Sequence, residues 1–180
     1  MNENQASIEA WRAETFGKAT TAKALAVRMN KEVTELLDDL VYDDHNPKAL
    51  VECADVLIVA YGLAHALHGI TLDGLMEVTP VPRPISWPAE LEDNFHAATL
   101  IHCDMADLLR WLSEFGPEGY APRTFLVNIT YGLRHLAAQL DGDLAQARDE
   151  KMILNRARVW VKAGDGTGHH VRQEATEVGG

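Results

Sequence analysis

The sequence predicts an all-α helical bundle, on three observations. Apolar residues recur at helical spacing through most of the chain, capping residues and glycines punctuate those stretches, and no alternating strand pattern competes. A chain of 180 residues, 47% hydrophobic and 24% charged, has the size and composition of one globular domain.

Each element has its own signal. ASIEAWRAETFG reads as a short first helix ending at Gly17. Thr20 or Thr21 caps the second, where Leu25, Met29, Val33, Leu36 and Leu40 make an apolar stripe. Asn46 as N-cap and Pro47 in the first turn open the third, which stops at Gly69. Prolines at 80, 82, 84 and 88 make MEVTPVPRPISWP an extended connector. A fourth helix is expected from about Pro88 to Gly116 and a fifth from about Arg123 to Leu140, before a break at Asp141-Gly142. The last helix, LAQARDEKMILNRARVWVK, precedes a Gly-rich tail expected to be mobile. The boundaries are therefore 1–163 for the helical domain and 164–180 for the tail.

The bulk numbers bound the function. A net charge of −11 argues against a general affinity for nucleic acid or anionic membranes. Cys53 and Cys103 both fall in predicted helices, as expected of a cytoplasmic protein. The opening MNENQASIEAW is too polar for a signal peptide, and the apolar run from 56 to 67 is too short to span a bilayer.

Glu52 and Asp55 are the only charges between Lys48 and His65. They lie three apart in an apolar helix, so both carboxylates leave one face. Burying two ionised carboxylates side by side requires a positive partner. Glu32 and Glu35 repeat the spacing one helix earlier, on an edge shared with Arg28 and Asp39. By itself that edge reads as a solvated face with an Arg28–Glu32 pair. With the third helix added, a divalent metal site is the stronger reading. Four carboxylates without histidine or thiolate favour Mg²⁺ or Mn²⁺, the ions that commonly bridge proteins to phosphates.

Five of the sixteen basic residues fall between 148 and 162. Arg148, Lys151, Asn155, Arg158 and Lys162 recur every three or four positions as one stripe, with Ile153, Ala157, Trp160 and Val161 largely on other faces. The stripe reads equally as a phosphate-binding edge or as cations balancing the helix macrodipole. Weaker candidates are read as structural. His65, His68, His135 and His169-His170 lack ligand spacing, GDGTG lacks the P-loop lysine, and Asp93-x-x-His96 is a lone pair. Trp87 and Trp111 are expected to pack.

A faint internal repeat aligns EVTELLDDL at 32–40 with DMADLLRWL at 104–112, and AYGLAH at 60–65 with TYGLRH at 130–135. It stands open between chance similarity of amphipathic helices and a degenerate copy. In that copy Asp104 and Asp107 match the first acidic pair, but Pro122 and Phe125 replace Glu52 and Asp55.

Glu32-x-x-Glu35 followed by Glu52-x-x-Asp55 resembles the signature of the all-α nucleoside triphosphate pyrophosphohydrolases. That group includes MazG-like enzymes, dimeric dUTPases and phosphoribosyl-ATP pyrophosphohydrolases. AWRAETFG, RMNKEVTELLDDL, VECADVLIVAYGLAHALHGITLD and KMILNRARVW are similar to phage-type dATP/dGTP diphosphohydrolases, with the guanine-directed MazZ type as the specific expectation. The resemblance covers 10–75 and 150–162 and is absent from about 77–148. Lys31 stands where many relatives carry another acid.

The resemblance implies a MazG-like bundle that splits a nucleoside triphosphate into monophosphate and pyrophosphate, in a dimer or tetramer. It makes Glu32, Glu35, Glu52 and Asp55 ligands of Mg²⁺ or Mn²⁺, with Glu32 or Glu35 catalytic. Lys151, Asn155 and Arg158 would bind phosphates. Residues 77–148 lie between, as an insertion or degenerate repeat, so the last helix must fold back to reach the acids. Two rivals are a helical nucleotide-sequestering protein and a di-metal carboxylate oxidoreductase bundle.

Overall fold

The computed structural model describes residues 3–17, 21–67, 70–78, 84, 87–88, 91, 93–164 and 167–170. Thr20, His68, Gly69, the prolines at 80 and 82, and residues 171–180 lie outside them. Seven helices and one short β-hairpin occupy the described residues, so the predicted all-α fold holds.

Helix α1 (Gln5–Phe16) opens with a capping box. Asn4 Oδ1 accepts from the Ser7 amide at 2.9 Å, and Ser7 Oγ accepts from the Asn4 amide at 3.0 Å. It ends at Gly17, whose φ of 92° suits a residue without Cβ. Helix α2 (Ala22–Tyr42) starts where the Ala24 amide donates to Thr21 Oγ1 at 3.1 Å. All five residues of its expected stripe are buried. Helix α3 (Lys48–Ala66) begins one residue later than expected, with Pro47 as the boundary. Asn46 still accepts the Lys48 amide on its side chain at 3.0 Å.

Larger differences from the sequence reading follow. A short helix α4 (Asp73–Glu77) precedes the proline-rich segment, so Met76 and Glu77 are helical and the connector begins after them. Asp73 accepts the Gln5 amide at 3.0 Å and Gln5 bonds Ile70 and Leu72, tying this turn to α1. Helix α5 (Asn94–Glu114) starts six residues after Pro88 because its orphan amides find partners there. Asp93 accepts from the His96 amide at 2.6 Å, and Asp44 from the Phe95 amide at 2.8 Å. Asp93-x-x-His96 is thus a helix cap.

Helix α6 (Ala121–Gln139) leads into α7 (Leu144–Ala157), which stops five residues short of the expected end. Strand β1 (Trp160–Lys162) pairs antiparallel with β2 (Gly168–His170), Trp160 opposite His170 and Lys162 opposite Gly168. The expectation of no strand, and of a wholly mobile tail from 164, is therefore corrected. Val159, Trp160 and Val161 favour extended backbone, Gly164 turns it at φ 89°, and Gly168 lets β2 lie against α1. A Cβ at Gly168 would fall 2.8 Å from the Phe16 ring.

Helices α2 and α3 form one hairpin and α5 and α6 another, with α2 packed on α5 and α3 on α1, α6 and α7. The described residues of 77–148 share the core of the rest: Ile101, Met105, Leu108, Ile129 and Leu133 are fully buried in one cluster with Met29 and Leu57. Helix α3 is long and apolar enough to cross a membrane by length and composition, but Cys53, Leu57, Tyr61 and Leu63 are fully buried in that core. Trp87 packs, as expected: a Cβ at Gly132 would fall 2.6 Å from its ring.

Candidate metal centre

The α2–α3 hairpin aims both acidic pairs into one cavity of about 860 Å³. Carboxylate oxygens of Glu32, Glu52 and Asp55 lie within 4.8 Å of one another. Glu32 belongs to the buried face of α2 at 2% exposure, while Glu52 and Asp55 are half-buried. Glu35 lines the same cavity from farther out, where Lys31 Nζ pairs with its Oε1 at 3.0 Å. Three of the four expected ligands therefore converge, and the fourth, Glu35, touches the cluster through a hydrogen bond with Glu32.

The cations are placed as counterparts. Arg28 pairs with Glu32 along α2, as the spacing indicates. Lys151 Nζ pairs with Asp55 Oδ2 from α7, so the last helix does fold back onto the acids. Asn155 and Arg158 line the cavity beside it, with Arg158 Nη1 donating to Asn155 Oδ1 at 3.1 Å. The five-residue stripe does not survive intact. Arg148 is buried, donating to the Tyr61 hydroxyl at 3.0 Å and to Asp149 at 2.7 Å. Lys162 sits on β1, whereas Trp160 and Val161, placed on other faces by helical spacing, line the cavity because the helix ends before them.

Burial sets the electrostatics. It raises Glu32 to about 8, and the charges of Asp55 and Glu35 add to this against Arg28. Burial and then Asp55 raise Glu52 to about 7. Asp55 is also raised, burial outweighing Lys151. For Glu35 burial pushes upward too, but hydrogen bonds from Lys31 and Glu32 outweigh it and the net shift is downward.

The donor set fits a divalent ion. Three oxygen ligands from two rigid helices meet where protons are otherwise retained, and an ion binds such a site by displacing them. All-oxygen donors fit Mg²⁺ or Mn²⁺, and no histidine joins the cluster among the described residues.

The matching acid on α5 is different. Asp104 is buried, and burial raises its pKa against hydrogen bonds with Asn128 and Trp87. Pro122 is buried, Phe125 packs on the core, and Asp107 pairs with Arg110 at the surface.

Sequence reasoning missed the other wall of the cavity, formed by Trp11, Arg12, Phe16 and Trp160 with Thr167 and Gly168 of the hairpin. The three aromatic rings meet edge to face with centroids 5.2, 5.5 and 5.9 Å apart. Their only signal was the aromatic content of AWRAETFG and RARVW, which spacing does not connect. Comparison of the chain with protein-family profiles, curated proteins and solved structures finds no match.

Proposed function

We propose that the chain is a divalent-metal-dependent nucleoside triphosphate pyrophosphohydrolase, releasing nucleoside monophosphate and pyrophosphate. The supporting observation is the convergence of Glu32, Glu52 and Asp55 within 4.8 Å in a cavity that also carries Lys151, Arg158 and an aromatic wall. Glu32, Glu52 and Asp55 hold the ion, Glu35 completing the set from the mouth. When bound, Mg²⁺ or Mn²⁺ supplies charge neutralisation for the phosphates and acidifies a water.

The chain's own groups divide the remaining work. Glu35 lines the same cavity and is the more exposed of the α2 pair, so it accepts the proton of the attacking water. Lys151 and Arg158 bind phosphate oxygens, with Asn155 holding Arg158 in place. The apolar and aromatic side takes the nucleoside. In a chain of net charge −11 these cations make a local field that a polyphosphate can enter. The phage-type, dGTP- or GTP-directed activity and the homo-oligomer rest on the sequence resemblance.

The test is a panel of NTPs and dNTPs with Mg²⁺ or Mn²⁺, products resolved by chromatography. Monophosphate and pyrophosphate are expected, with loss of turnover in EDTA. Orthophosphate as first product, or turnover indifferent to metal, would overturn the reading.

A further inference from the structure

A second, smaller cavity of about 500 Å³ opens beside the first and shares Arg28, Lys31 and Thr167 with it. Helix α2 forms most of its wall. Lys23, Val27 and Lys31 are spaced four apart, and Ala24 and Arg28 repeat that step one row over, so all five lie on one face. The same rows continue into the carboxylates, from Lys31 to Glu35 and from Arg28 to Glu32. The helix therefore fixes an order of charge, with cations in its first three turns and acids in the next. Val27, between the two lysines, is 57% exposed and gives the cavity an apolar floor.

The three cations differ in what holds them. Lys23 is exposed and has no acidic partner among the described residues. Arg28 and Lys31 are held by acids of the metal centre, Arg28 by Glu32 and Lys31 Nζ by Glu35 Oε1 at 3.0 Å. A divalent ion on those carboxylates competes with both pairs, because its double charge attracts them more strongly than one ammonium or guanidinium does. The released cations stay one turn from the ion with their donors unpaired. A phosphate group, with several charged oxygens, uses all three sets of donors, where a carboxylate would leave some idle.

We propose that Lys23, Arg28 and Lys31 form a phosphate subsite beside the metal centre, open when a metal ion has drawn Glu32 and Glu35 away from the two inner cations. It rests on the proposed metal centre and not on hydrolysis. The phosphate is either part of the substrate's own chain or a free inorganic ion, and the recognising chemistry is the same for both.

The experiment measures binding of methylenediphosphonate, a pyrophosphate analogue that resists hydrolysis, by titration calorimetry in Mn²⁺ and in EDTA. Lys23 lies about 13 Å before Glu32 along the helix axis at 1.5 Å per residue, too far to ligate the ion. Lys23→Ala should therefore leave Mn²⁺ affinity unchanged and weaken the analogue about two- to fivefold, the effect of one exposed charge pair. Val27→Glu sets a carboxylate four residues from each lysine and should weaken it by about tenfold or more. Val27→Gln has the same length without the charge and should bind as wild type does. In EDTA, Glu35→Gln frees Lys31 without any metal and should raise the affinity about two- to fivefold.

Wild-type binding in both Lys23→Ala and Val27→Glu would overturn the proposal, as would an equal loss in Val27→Gln or no gain from Glu35→Gln in EDTA. Nucleotide titrations with Ca²⁺ tell the two phosphate sources apart. If the phosphate is the substrate's own, Lys23→Ala narrows the preference for a nucleoside triphosphate over its diphosphate. If it is a free ion, that ratio is unchanged and inorganic phosphate binds alongside the nucleotide, more weakly in Lys23→Ala. Absence of turnover, with analogue binding that still needs Mn²⁺ and Lys23, removes the hydrolase reading and keeps the subsite. Metal-dependent pyrophosphate release with wild-type analogue binding in both variants does the opposite.

Discussion

Lys151 Nζ pairs with Asp55 Oδ2, joining the last helix to the third where the buried acids most need a positive charge. Both side chains are largely shielded, so removing one leaves the other poorly solvated. Lys151→Ala should lower the melting temperature of the metal-free protein, and Mn²⁺ should restore much of the loss. It should also raise KM for triphosphates or lower kcat. Arg158 is half-buried and its side chain bonds Asn155, so Arg158→Ala should affect the kinetics with a smaller change in melting temperature than Lys151→Ala. Wild-type kinetics in both variants would make the pair structural only.

Glu52 is held among like charges, so Glu52→Gln should abolish metal-dependent turnover yet leave the metal-free fold as stable or more so. A gain of about 1 kcal/mol would raise the melting temperature by roughly 2–4 °C in a chain of this size. Asp55→Asn should also abolish turnover, as should Glu35→Gln, with the helical circular dichroism signal retained. Undiminished activity in these variants would remove the metal site.

The pH dependence of stability follows from the same shifts. Glu32 and Glu52 sit at about 8 and about 7, above their ordinary value of 4.5. A carboxyl whose folded pKa is raised contributes its stability fully below the unfolded value and loses it as pH rises through the folded one. In EDTA the melting temperature should therefore fall between pH 5 and pH 8.5. Saturating Mn²⁺ should flatten or reverse that slope, because the ion takes the place of the protons. Glu3 behaves oppositely. Burial raises it, but hydrogen bonds from Arg156 and Ser7 pull it below 4.5, so its contribution is lost as pH falls through the lowered value. Differential scanning in both buffers reads the two limbs, and a flat profile in EDTA would count against the buried cluster.

Asp104 and Asp107 repeat the spacing of Glu32 and Glu35, but the positions that match Glu52 and Asp55 hold Pro122 and Phe125, so the copy lacks the ligand charge to hold a divalent ion. Asp104→Asn with Asp107→Asn should leave activity within a few-fold of wild type. The same double change at Glu32 and Glu35 should eliminate it. Equal loss in both would place α5 in the active site.

The carboxylate cluster is legible in the sequence because its signal is local. Two acids three apart in an otherwise apolar helix have one face to share, and the neighbouring helix repeats the pattern. The buried stripe of α2 is legible for the same reason, since a fixed 3.6-residue period leaves little freedom in which side chains face together. Capping is partly legible: Thr21 and Gly17 do what their residue types suggest, whereas α5 starts at Asn94 because Asp44, from the loop after α2, meets its amides.

Periodicity carries no information about what meets across the chain. Arg148 and Lys151 are one turn apart with like charges, yet one is buried against Tyr61 and the other reaches Asp55. That division depends on how α7 crosses α3. The β1–β2 hairpin is too short to persist by itself and takes its support from Phe16 and Trp11. The sequence by itself determined the helices, their buried faces and the acidic pairs, all set within a few residues. The tertiary structure alone decided which cations and rings close around those acids, because such contacts depend on the packing of distant helices.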